Sequence, residues 1–282
     1  MTGSRRKIRN FTAPKKSHPP VGPPIAPALP SRVPVFQPTF KSAKPGPWTH
    51  ETAWGKVTVE GRLTGIHRKV LDAIFGSCIE SKRLATGALA MLVDPYKIEK
   101  LAGIAKNPKW LRTLLEDMRV VKVTIETRDG GKWYQAGIVS EFGVSAREAD
   151  DGREQWLVTI SAAWMNIFDT SLVVRYRELL PLLAQLRSGP VYAVALHVLT
   201  HGEGYFDVAD LFRRVMAWPA ETLKPESFKR AVRRLFEAID CETTILGQLG
   251  ISTYIKDGKQ MIHYVPPLGV GVQKALPSGT RW

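Results

Sequence analysis

Between residues 224 and 240, KPESFKRAVRRLFEAID, the apolar residues Phe228, Val232, Leu235, Phe236 and Ile239 recur at helical spacing and form one stripe. The rest of that surface carries Lys224, Lys229, Arg230, Arg233 and Arg234 against Glu226 and Glu237. Downstream, ISTYIKDGKQMIHYV alternates as two strands joined at Asp257-Gly258, a strong two-residue hairpin signal, with Lys256 and Lys259 flanking the turn. The pattern therefore predicts a basic amphipathic helix followed by a basic-tipped hairpin.

The same succession occurs earlier, with a period of about 117 residues. IHRKVLDAIFGSCI (66–79) and VYAVALHVLTHG (191–202) read as first helices. MLVDPYKIEKLAGI (91–104) and YFDVADLFRRVMAW (205–218) read as strand then helix, with Asp94 and Asp207 at the cap positions. The third helices are NPKWLRTLLEDM (107–118), with Asn107 as cap and Pro108 at the first helical position, and the basic helix with Pro225 one step in. Each copy then closes with a hairpin, at Asp129-Gly130 or Asp257-Gly258. In the first hairpin Val121, Val123 and Ile125 point inward while Lys122, Thr124 and Glu126 point outward. The strand QWLVTIS, a short helix around AAWMNIF and the bridging RYRELLPLL complete the folded body.

The order helix–strand–helix–helix–strand–strand is the outline of a winged helix, so an α+β fold of two tandem winged-helix domains is expected. Eleven of the 20 prolines lie between Pro14 and Pro47, which reads as a disordered, polyproline-like basic arm. The expected division is an arm over 1–53, a first domain over 54–172, a second over 173–266 and a tail over 267–282.

The net charge of +14 favours a polyanionic partner. Residues 1–50 hold nine basic side chains and no acidic one. The third helices differ: the exposed positions Lys109, Arg112, Thr113, Glu116 and Asp117 of the first sum to zero, whereas the second has an excess of three cations. The second domain is therefore the expected main DNA reader. Arg213, Arg214, Arg230, Arg233 and Arg234 join Lys224, Ser227, Lys229, Lys256 and Lys259 as its contact residues. Arginine can grip a guanine edge with two hydrogen bonds, so Arg230, Arg233 and Arg234 are the base-reading candidates, and the lysines and Ser227 meet phosphate. Lys106, Lys109 and Arg112 are a secondary contact on the first domain.

Other chemistry finds little footing. The chain lacks a P-loop, a GxGxxG loop after a strand and a CxxC pair, and His197 and His201 stand four apart without the glutamate of HExxH. Rolling-circle nicking needs a His-x-His metal pair, and none is present. No enzyme activity, metal or cofactor is expected. Most of the scattered tryptophans (Trp54, Trp110, Trp133, Trp156, Trp164, Trp218) sit at apolar-periodic positions and read as core. The two cysteines, Cys78 and Cys241, read as buried reduced thiols. No apolar run approaches the roughly 20 residues that span a bilayer, and the N-terminus has no secretory apolar stretch, so a cytoplasmic location without membrane contact is expected.

In its duplicated layout over roughly 60–265, the chain resembles the plasmid replication initiator (Rep) proteins built from two winged helices, especially the TrfA-like group. The junction VVRYRELLPLLAQLRSGPVYAVALHVLTHGEGYFDVADLFRRV and the helix KPESFKRAVRRLFEAID with its terminal hairpin carry that resemblance. It implies binding to repeated double-stranded origin sites (iterons), opening of an adjacent AT-rich tract, recruitment of host initiator and replicative helicase, and a homodimer formed by the first domain. The neutral helix 107–118 departs from a symmetric two-site reader. By themselves the residues deliver a non-enzymatic duplex binder. A winged-helix transcriptional regulator or autorepressor, and a basic RNA-binding or scaffold protein, remain the alternatives.

Overall fold

Local signals place most elements of this mixed α+β protein. The structure, a computed structural model, describes residues 26–32, 34–41, 46–52, 55–127, 133–148, 152–170, 172–216 and 223–273. Asp94 and Asp207 accept the first backbone N–H groups of helices Pro95–Ala102 and Val208–Val215, and Asn107 does the same for Pro108–Val120. Gly103 ends Pro95–Ala102 with a left-handed φ of 65°, which a side-chain-bearing residue adopts at a cost.

In the second half, helix Gly189–Leu199 is followed by strand Gly204–Asp207, helices Val208–Val215, Pro225–Asp240 and Thr243–Gln248, and the hairpin Ile251–Lys256/Lys259–Tyr264. The first strand pairs antiparallel with the last, so Lys259–Tyr264 is the central strand of three. Phe206, Ile262, Tyr264 and Ile251 lie on the sheet face turned to the helices, and the last three are buried.

The first half repeats the helical order as Gly65–Ser77, Pro95–Ala102 and Pro108–Val120. Its sheets differ from expectation. Lys122–Thr127 and Trp133–Ala136 do pair as a hairpin, with Val121, Val123 and Ile125 buried, while the Asp129-Gly130 tip lies outside the described residues. That hairpin joins Trp48–Thr52 and Gly55–Glu60 in a separate four-stranded sheet. The strand preceding Pro95–Ala102, Leu89–Val93, pairs instead with Glu154–Ile160, whose other neighbour is Val139–Glu148. The topological counterpart of the C-terminal hairpin is thus 139–160, not the hairpin at Asp129-Gly130.

The expected arm over 1–53 and tail over 267–282 need correction. Strand Ala26–Pro27 lies along one side of Val173–Arg175, and Gly271–Gln273 along the other. The N-terminal segment, the link between the halves and the C-terminal segment therefore meet in one sheet. Pro27 is on an edge strand, where its missing N–H leaves the ladder intact. Helix Leu29–Arg32 follows, Ala26, Ala28, Val35 and Phe36 are buried, and the Arg32 guanidinium donates to Thr200 O at 2.6 Å and Thr200 Oγ1 at 3.2 Å. The apolar residues between the prolines gain enough by burial to fix this segment on the body.

One continuous core joins the halves. At its centre the fully buried Arg68 donates to both oxygens of Asp72 at 2.9 and 3.0 Å, and to Tyr176 Oη at 3.0 Å. Tyr176 donates to Asp72 Oδ2 at 2.9 Å, and Tyr192 reaches the same oxygen from the second half. Burial alone would lower Arg68, but the Asp72 charge and the two phenols outweigh it and hold its pKa up. Nearby, Lys69 Nζ donates to Ala184 O and Leu186 O at 3.0 Å and sits over the Phe40 ring, and burial pulls its pKa down to about 8.

Candidate nucleic-acid interface

Helix Pro225–Asp240 lies across the second half with Val232, Leu235 and Ile239 buried, and Phe228 and Phe236 packed at the margin. That stripe fixes which side faces solvent. Glu226, Ser227, Lys229, Arg230, Arg233, Arg234 and Glu237 are all exposed. Glu226, Lys229, Arg230, Arg233 and Arg234 together line a shallow, wholly charged depression. The Lys224 side chain makes no capping bond to the helix start, and Lys224 and Ser227 are both exposed there, at the end of the helix that favours anions.

The cations on this face are not equivalent. Lys229 pairs with Glu226 at 3.2 Å and Arg233 with Glu237 at 3.1 Å. Among the described residues, Arg230 and Arg234 have no ion-pair partner. Arg213 is exposed but tied, 2.7 Å from Asp210 and with its guanidinium 4.6 Å from the Phe228 ring centre, so it braces one helix against the next. Arg214 is exposed on the same turn.

Beside the helix, the hairpin is held by Thr253 Oγ1 donating to Asp240 Oδ1 at 3.3 Å. Asp257 and Gly258 both have positive φ, 50° and 74°, the conformation of the tightest two-residue turn. Lys256 and Lys259 are thereby placed directly opposite each other, both exposed. Like charges in that position repel, a cost that an anionic ligand removes.

In the first half, Lys106, Lys109 and Arg112 are exposed around the start of Pro108–Val120. Folding sorts charges that cancel in the sequence. Glu116 bonds Arg119 at 2.7 Å and Asp117 meets His67 at 3.2 Å, both at the far end of the helix. Near its start, Lys106 Nζ lies 4.5 Å from the centre of the Tyr96 ring, with Arg153 5.5 Å from the same ring. Arg112 lies over Trp156 and 3.5 Å from Glu154. Sequence reading missed Arg153 and Tyr96 because they belong to other elements; their only local sign is a basic residue in a strand connection.

Three further features escaped the sequence. Tyr205 is exposed, stacks on His263 at 4.5 Å and 12°, and meets Tyr254 edge-on, forming an aromatic patch on the outer face of the hairpin sheet. Cys241 is exposed and Cys78 half-buried, both free, so only one thiol is even partly sheltered. His197 is buried against the Ser31 carbonyl, 4.8 Å from the His201 ring, and burial drives its pKa down to about 3. Of the tryptophans, Trp156 and Trp164 are core while Trp110 is exposed; Trp54 and Trp218 lie outside the described residues.

Among the described residues no cluster of three or more His, Cys, Asp or Glu side chains could hold a metal ion, and no helix is long and apolar enough to cross a membrane. No family model matches the chain, and no curated protein and no solved structure matches it.

Proposed function

We propose that this protein binds double-stranded DNA through helix Pro225–Asp240 and the hairpin tip Lys256–Lys259, as a plasmid replication initiator that grips repeated origin sites. The observation that carries the reading is the combination of Arg230 and Arg234, which form no ion pair among the described residues, with an adjacent hairpin whose terminal rung opposes lysine to lysine. The order helix, strand, three helices and hairpin in the second half, with its first strand paired with its last, supports a winged-helix reading with one added helix, Thr243–Gln248. A helix of this width enters a major groove, and the hairpin reaches the neighbouring backbone. The first half offers a weaker site of the same kind at Lys106, Lys109, Arg112 and Arg153. Two linked sites suit repeated sequences better than a single one.

Such a protein works by binding energy rather than bond chemistry. Specific complexes are about 4–10 kcal/mol tighter than non-specific ones, which is enough to bend a site or strain an adjacent AT-rich tract. Longer opening then falls to a host initiator and helicase recruited by the bound protein.

The test is selection of duplexes of about 40 base pairs from a random library, followed by footprinting at several salt concentrations. A recovered consensus, with an affinity that falls steeply with salt, is the expected result. Recovery of no duplex, or preference for single-stranded RNA, overturns the reading. A consensus found only at promoter-like single sites favours a regulator over an initiator.

A further inference from the structure

The DNA-binding reading leaves one feature of the hairpin without a role. Ile255 is 68% exposed, the most exposed of the large hydrophobic residues among those described. It precedes Lys256 and stands directly across from Gln260, so the last two rungs of the hairpin are Ile255–Gln260 and Lys256–Lys259. Side chains alternate along a strand, so Ile255 shares its face with Thr253, which is bonded to the last residue of the basic helix. The outermost rungs therefore present an apolar side chain and an amide on the helix side, and two ammonium groups on the other.

We infer that Ile255 is a wedge that enters a base step of duplex DNA when the hairpin tip seats in the minor groove. The inference rests on the DNA-binding reading and adds to it how the duplex is deformed. A minor groove is about 6 Å wide, too narrow for a helix but open to side chains from a two-stranded tip. Apolar side chains of this type, inserted between base pairs, unstack a step and kink the duplex. Gln260 beside it has the donor and acceptor that groove-floor atoms accept and offer, and Lys256 and Lys259, together on the opposite face of the tip, are left for phosphate. The face Ile255 shares is buried at Ile251 and Ile262 but open at the tip, which leaves most of its side chain in water.

The experiment uses the full chain and the duplex that the wild-type protein recovers from the random library, carrying a dye at each end. Bending is read as energy transfer between the dyes, and unstacking as permanganate reactivity of thymines beneath the hairpin. Ile255→Ala is expected to melt like wild type and to bind within about threefold, while losing most of the bend and the reactive thymines. Ile255→Met, still apolar and long, is expected to restore both. Lys256→Ala is expected to weaken binding but leave the bend of the saturated complex unchanged. An Ile255→Ala complex bent and reactive like wild type overturns the wedge and leaves DNA binding standing. Recovery of no duplex by the wild-type protein overturns both.

Discussion

Lys256 and Lys259 face each other as the terminal rung of the hairpin, with only Asp257 and Gly258 beyond them. Their repulsion is useful only when something anionic lies between or above them. Lys256→Thr is therefore expected to raise the unfolding midpoint slightly while weakening duplex binding on every sequence. The slope of log K against log salt should shrink by about one unit. Titrations at four salt concentrations, beside a thermal melt, check both halves of that expectation.

Among the described residues, Arg230 and Arg234 differ from Lys229 and Arg233 in forming no ion pair. Arg230→Ala and Arg234→Ala are each expected to cost about 1–3 kcal/mol of binding and to relax preference at one base position. Lys229→Ala releases Glu226 onto the same face and should weaken all sequences alike. Equal losses on selected and random duplexes for both arginine variants would show that this face does not read bases.

Among the described residues, Asp72 is the one carboxylate paired with the buried Arg68 guanidinium. Asp72→Asn keeps the shape but strands a charge in the core, at an expected cost of about 3–5 kcal/mol. Tyr176→Phe removes two hydrogen bonds, one with each member of the same pair, and should cost about 1–3 kcal/mol. Urea denaturation of the three proteins gives the comparison.

His197 is neutral in the fold, with burial and the charges of His201, Arg214 and Arg32 lowering its pKa to about 3, opposed only by the Ser31 carbonyl. Below about pH 6.5 the unfolded chain takes up a proton that the folded chain refuses until about pH 3. Its contribution to stability is therefore complete above pH 6.5 and is lost as pH falls through that window, by roughly 2 kcal/mol at pH 5. His197→Gln should flatten the fall in denaturation midpoint between pH 7 and pH 5.

Deleting residues 1–25 removes six cations and is expected to flatten the salt dependence of DNA binding, leaving the melting temperature and sequence preference unchanged. Deleting 1–41 also removes Val35, Phe36 and the Arg32–Thr200 bonds and should destabilise the fold by more than about 3 kcal/mol. Calorimetry of the two truncations separates the roles.

The sequence by itself determined the elements whose causes are local. The 3.6-residue stripe of Phe228, Val232, Leu235 and Ile239, the caps Asp94, Asn107 and Asp207, and the Asp257-Gly258 turn each depend on residues a few positions apart. They also settled which side of the basic helix faces water. Tertiary structure decided everything that hangs on partners distant in the chain. Whether Leu89–Val93 pairs with the nearest hairpin or with Glu154–Ile160 is invisible to periodicity, which reports the faces of a strand and not its partner. Ala26, Ala28, Val35 and Phe36 read as a loose arm because prolines dominate the window, and only the shape of the groove between the halves shows that those side chains fill it. Charge followed the same rule. Counting gives Lys229, Arg230, Arg233 and Arg234 one value each, but the fold commits Lys229 and Arg233 to glutamates and gives Arg230 and Arg234 no ion pair among the described residues.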